Sequence, residues 1–101
     1  MRFNIIINKI NSKEFIVDIN NIRFIVKVSD KKNKKYDVYL SNSNKYLFSY
    51  GNTNYQHFYD KLGYYKNLNH NDTERQRLYF LRHKHTNNIY SAKFFAAYFL
   101  W

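Results

Sequence analysis

Apolar and polar positions alternate through the first half of the chain. Ile, Val, Phe and Tyr dominate short runs, FNIIINKI, EFIVDI, RFIVKVS, KYDVYLS and KYLFSY, with Asn, Ser, Lys and Asp between them. A period of two with β-branched and aromatic enrichment predicts strands. In IRFIVKV, Ile22, Phe24, Val26 and Val28 share one face, while Arg23, Ile25 and Lys27 take the other. NSK at 11–13, NN at 20–21 and SNSN at 41–44 are turn signals, because Asn tolerates a left-handed backbone. SDKKNKK at 29–35 is a longer cationic loop.

After Gly51 the pattern changes. NTNYQHFYDKLGYY predicts a short helix from about Asn54 to Gly63, and KNLNHN a connector. Asp72 or Thr73 is placed to cap a second helix running to about His85, with Glu74 in its first turn. TNN at 86–88 stops it, and Ser91 caps a third in SAKFFAAYFLW. The expectation is an α+β fold: an N-terminal antiparallel β-meander of four or five strands, followed by two or three α-helices packed on one face. Residues 1–101 form a single domain, with 1–50 strand-rich and 51–101 helical.

Composition narrows the class. The chain is 45% hydrophobic, enough for a core, and 21% aromatic, with eleven Tyr, nine Phe and one Trp. The absence of Cys excludes disulfides and thiolate chemistry. MRFNIIINKI carries Arg2 and a short apolar run, but Asn4 and Asn8 interrupt it and no small-residue cleavage site follows, so no signal peptide is expected. Nor does any stretch approach a membrane span. Abundant Asn, Lys, Ile, Tyr and Phe, with no Pro and two Gly, point to an AT-rich genome.

Charge points to a partner. Seventeen Lys and Arg against seven Asp and Glu give a formal charge of +10. Self-repulsion on that scale is relieved by a polyanion. On helix 74–85, Leu78 and Leu81 are expected against the sheet. Arg75, Tyr79 and Arg82 fall at i, i+4 and i+7, with His83 beside them, and Arg77 and Lys84 occupy the far side with Phe80. Guanidinium groups grip phosphate in a bidentate fork, and rings stack on bases. Lys31, Lys32, Lys34, Lys35, Arg75, Arg77, Arg82 and Lys84 are therefore the expected phosphate contacts, with Tyr79 stacking. The bland alternative is a solvated basic surface.

No Gly-rich phosphate loop, nucleophile setting or cofactor motif is present, and no cofactor is expected. His57, His70, His83 and His85 lack the spacing of a known zinc site. His70 and Asp72 could serve a metal-dependent nuclease, but a capping turn accounts for them equally well. The run SAKFFAAYFLW is apolar nearly all round. Either it plugs the core, or Phe94, Phe95, Tyr98 and Trp101 dock on a capsid protein or a second copy.

YDVYL at 36–40, SYG at 49–51, YQHFYDKLGYYKNLNH at 55–70, the series Asp72, Arg75, Tyr79, Arg82, His83, and the span from Ser91 to Leu100 and Trp101 resemble a group of small proteins of unknown function from large double-stranded DNA viruses. The resemblance covers about residues 36–101; Phe is more usual where Tyr50 stands. It implies a viral origin and an intracellular setting, in the virion or the infected cell. It brings no activity and no site residue. Two functions are carried forward: a nucleic-acid-binding protein, and a minor capsid or cement subunit.

Overall fold

The computed structural model describes residues 3–101; Arg2, weighed above as part of a leader, lies outside them. The strands are β1 (Ile5–Asn11), β2 (Glu14–Ile19), β3 (Ile22–Val28), β4 (Lys34–Leu40) and β5 (Lys45–Asn52). They form one antiparallel meander in the order β1-β2-β3-β4-β5. Asn20, Asn21, Asn33 and Asn44 hold positive φ in its turns, the role Gly plays in most chains.

The register builds the core face. Val17 lies opposite Phe24, Val26 opposite Val38, and Tyr36 opposite Tyr50. All six are buried. The β4–β5 register shifts by one residue between Val38 and Tyr39, after which pairing resumes with Tyr39 opposite Tyr46 and Leu40 opposite Lys45.

Among the described residues there are two α-helices, α1 (Thr73–Arg82) and α2 (Ala92–Phe99). Ser91 caps α2 by accepting the Phe94 N–H. Phe94, Phe95, Phe99 and Leu100 are buried, and the Phe95 ring lies among Phe24, Phe48 and Tyr50. So α2 fills the core. Of the four expected docking residues, Phe94 and Phe95 have no surface to offer, while Tyr98 and Trp101 are half-buried. The backbone N–H groups of Tyr59 and Lys61 bond the carbonyls of Leu100 and Phe99 at 3.0 and 2.9 Å, satisfying the end of α2.

The helix expected at 54–63 is not there. Asp60 accepts from the backbone N–H of Leu62 and Tyr65 at 3.0 and 2.9 Å, a local bonding pattern that competes with a helix. The His57 N–H bonds Leu68 O, and the His70 N–H bonds His57 O. The segment is therefore an irregular strap, with a single 3-10 turn at Lys66–Leu68.

Two further expectations need correction. α1 ends at Arg82 rather than His85, because His83 is extended (φ −120°, ψ 95°). Leu78 and Leu81 do not reach the sheet and are 39% and 65% exposed. α1 docks instead on the end of α2. Tyr79 stacks on Trp101 at 4.4 Å and 7°, and Gln76 Nε2 donates to Trp101 O at 2.7 Å. The larger rings take the inward positions and rotate the leucines outward. Among the described residues, no helix is long and apolar enough to cross a membrane.

Candidate functional site

A cleft of about 600 Å³ opens between α1 and the turn that follows β5. Arg75, Leu78, Tyr79, Arg82 and His83 form the α1 wall, and Gly51, Asn52, Tyr55 and Gln56 the other. Ala96, Leu100 and Trp101 close the floor, together with Lys35. Among the described lining side chains every formal charge is positive and none is a carboxylate.

The turn wall is tied to the sheet. Asn52 Oδ1 accepts the Asn54 N–H at 2.9 Å, closing a local turn. The Thr53 N–H bonds Asn33 O at 3.3 Å, and Asn54 Nδ2 donates to Asn33 Oδ1 at 3.1 Å. The 29–34 loop is thus joined to the lip of the cleft. Lys34 pairs in register with Asn52, and Lys32 is exposed on the same loop. Lys31 diverges. Its ammonium lies 2.9 Å from Asp37 and 4.5 Å from the Tyr46 ring centroid. Asp37 alternates with the core-facing Tyr36 and Val38, so this pair sits on the opposite face of the sheet.

Lys35 overturns its expected role. It is 2% exposed and cannot meet a phosphate as a free surface lysine. Its Nζ donates to Tyr55 O at 2.9 Å and lies 2.7 Å from His57 Nδ1. An ammonium has no lone pair, so Nδ1 accepts. The imidazole proton then sits on Nε2, 2.6 Å from Asn69 Oδ1. Burial first, then the Lys35 charge, holds His57 below the usual histidine range. Burial also pulls the Lys35 ammonium down to about 8 against the opposing charge of Asp60. Gly51 makes room for this side chain. It holds φ +78°, and a Cβ there would lie 2.8 Å from Lys35 Cδ and 2.9 Å from Leu100 Cδ1. Nearby, Asp60 accepts the Tyr36 hydroxyl, while the buried Tyr50 hydroxyl has no partner among the described residues.

The arginines of α1 divide by face. Arg75 Nη1 donates to Gln56 Oε1 at 2.9 Å, across the mouth of the cleft. This neutral acceptor orients the guanidinium without cancelling its charge. Arg82 lines the same wall with no carboxylate partner among the described residues. Arg77 lies on the far side, forked onto Glu74, and Lys84 lies beyond the helix end. The expected stacking of a base on Tyr79 meets an obstacle. Trp101 covers one face of the ring, and His83 packs on the other at 4.6 Å. Phe80 stacks on His85 at 4.5 Å.

Tyr55, 67% exposed, and His83 are the ring surfaces that remain open to the cleft. Neither Tyr55 nor Gln56 was singled out from the sequence, because both fall in the segment expected to be helical. The His70–Asp72 pair is a cap. Asp72 Oδ1 accepts from the N–H groups of Glu74 and Arg75, and the Asp72 N–H donates to His70 Nδ1 at 2.9 Å. Among the described residues, no three His, Cys, Asp or Glu gather as metal ligands.

Compared with family models, curated proteins and solved structures, this chain matches none.

Proposed function

We propose that the protein binds nucleic acid, chiefly through its phosphates, with the cleft as the centre of the interface. One observation carries this reading: Arg75 and Arg82 converge on a cleft with no carboxylate side chain among its described lining residues, beside the open rings of Tyr55 and His83. Lys32 and Lys34 extend the positive surface along the stitched loop, and Lys84 extends it past α1. Rings inside a cleft reach bases that are unstacked, which favours single strands over duplex. Arg77, engaged with Glu74 on the far side, contributes little. The chemistry is binding, with phosphate contacts providing affinity and little base readout. The resemblance to small proteins of large DNA viruses supports a viral setting. Burial of Phe94 and Phe95 removes two of the four residues on which the capsid-subunit reading stood.

Fluorescence anisotropy with labelled single-stranded DNA and RNA at two salt concentrations tests the reading. Binding should weaken steeply with salt. The double variant Arg75→Ala, Arg82→Ala should lower the log–log salt slope by about 1.4, at roughly 0.7 per lost phosphate contact on a single strand. Arg77→Ala should leave that slope nearly unchanged. Absence of binding at low salt by the unaltered protein would end this reading.

A further inference from the structure

We infer that the cleft takes one nucleotide unit bearing a terminal phosphate: the end of a strand rather than its middle. The inference rests on the nucleic-acid reading above and specifies what enters the cleft.

Size is the first argument. About 600 Å³ falls within the range of small-molecule pockets, roughly 300–1,000 Å³. Surfaces that track a strand hold on the order of 4–16 nucleotides per fold. This cleft is too small for that work by itself.

Closure is the second. Ala96, Leu100 and Trp101 wall off the floor, and the end of α2 is fixed there by the Tyr59 and Lys61 N–H groups. A recess backed by these residues seats the end of a strand, whereas an internal nucleotide must keep both of its neighbours outside the same mouth.

Charge is the third. An internal phosphodiester carries one negative charge. A terminal monoester carries about 1.5 to 2 at neutral pH, with more oxygen acceptors. Arg75 and Arg82 present two guanidinium groups from one wall, with no carboxylate side chain among the described lining residues. Two guanidinium groups match the charge and acceptors of a terminal monoester better than the single charge of a diester. Arg75 is already oriented by Gln56, so less ordering is left for binding to impose. The sugar and base would lie toward Tyr55 and His83.

The same chemistry has two sources, a free nucleotide and a strand end. The experiment separates them. Oligothymidylates of one length, labelled internally, are prepared with a 5′-phosphate, a 3′-phosphate, hydroxyls at both ends, or as a closed circle. Their affinities for the full chain are measured by anisotropy, with thymidine monophosphate as competitor. One phosphorylated end should bind about tenfold tighter than the hydroxyl-ended strand, as expected for added charge-assisted hydrogen bonds. The circle should bind no tighter than the hydroxyl-ended strand. Arg82→Ala should erase the preference, Arg82→Lys should keep part of it, and Arg77→Ala should leave it intact. Circular dichroism would verify that each variant is folded.

Thymidine monophosphate that competes as well as the phosphorylated end would support the pocket chemistry and identify the free nucleotide as its source. Circles and phosphorylated strands binding alike would overturn the inference while leaving nucleic-acid binding intact. If mononucleotide binds and no strand does, the broader reading falls and the pocket stands. If nothing binds, both fall.

Discussion

Lys35 shows how a single side chain can change role between surface and interior. Its sequence neighbours are solvent-facing lysines, yet its ammonium is held by Tyr55 O and His57 Nδ1. Its amine ordinarily titrates at 10.5, and burial brings it to about 8 in the folded protein. Between those values the unfolded chain binds a proton that the folded chain has released, so stability rises with pH across the window. Tyr36 and Tyr50 act in the opposite sense. Burial first raises both phenols above 10.0, so the folded chain retains protons that the unfolded chain loses, and stability falls as pH climbs past that point. Lys35→Met should cost about 1–3 kcal/mol at neutral pH, because it leaves the buried His57 Nδ1 without a donor. It should also flatten the rise above pH 8. Urea unfolding from about pH 7 to about pH 10 measures both effects. Lys61, also lowered by burial, leaves a residual slope in the variant, so the difference between the two proteins isolates Lys35.

Among the elements, α1 is the least anchored. It buries none of its residues and is held by the Tyr79–Trp101 stack and the Gln76 bond. Removing the N-cap with Asp72→Ala should cost about 1 kcal/mol. The loss should appear as faster amide exchange over residues 75–82, with the sheet amides unchanged. Ser91→Ala, which uncaps the core-filling α2, should instead lower the midpoint of global thermal unfolding. Hydrogen exchange and calorimetry distinguish the two outcomes.

These elements also mark where sequence patterning works. The meander was legible because strict alternation in runs such as IRFIVKV admits one face to the core, and Asn-rich turns fix the breaks. Both helix caps were legible for a similar reason: Asp and Ser precede helix-forming runs. The strap at 53–70 was not legible. Its shape depends on Lys35, His57, Asp60 and Asn69 meeting across the fold, and no local period encodes that meeting. The facing of α1 was misread because Leu78 and Leu81 satisfied the periodicity, whereas the partner that decides its orientation, Trp101, lies far along the chain. Arg75 and Arg82 were found from their spacing; Tyr55 was lost with the helix that does not form.

Across the whole molecule, no carboxylate side chain among the described residues lines the cleft. Asp18, Glu14, Asp37 and Glu74 sit in ion pairs with Arg23, Lys27, Lys31 and Arg77. Asp60 is buried, and Asp72 caps α1. Of seven acidic residues, this leaves Asp30. Four cations are thus neutralised locally, all of them away from the cleft, whereas Arg75 and Arg82 in the cleft wall have no carboxylate partner among the described residues. The stacked rings make that asymmetry observable. Trp101 is the sole tryptophan, and in the floor of the cleft it stacks on Tyr79, whose ring also meets His83. Its emission wavelength and quenching should shift when an anion enters, and Tyr79→Ala should blunt the response. The molecule thus carries a native optical gauge of its own occupancy, readable in a cuvette without any attached dye.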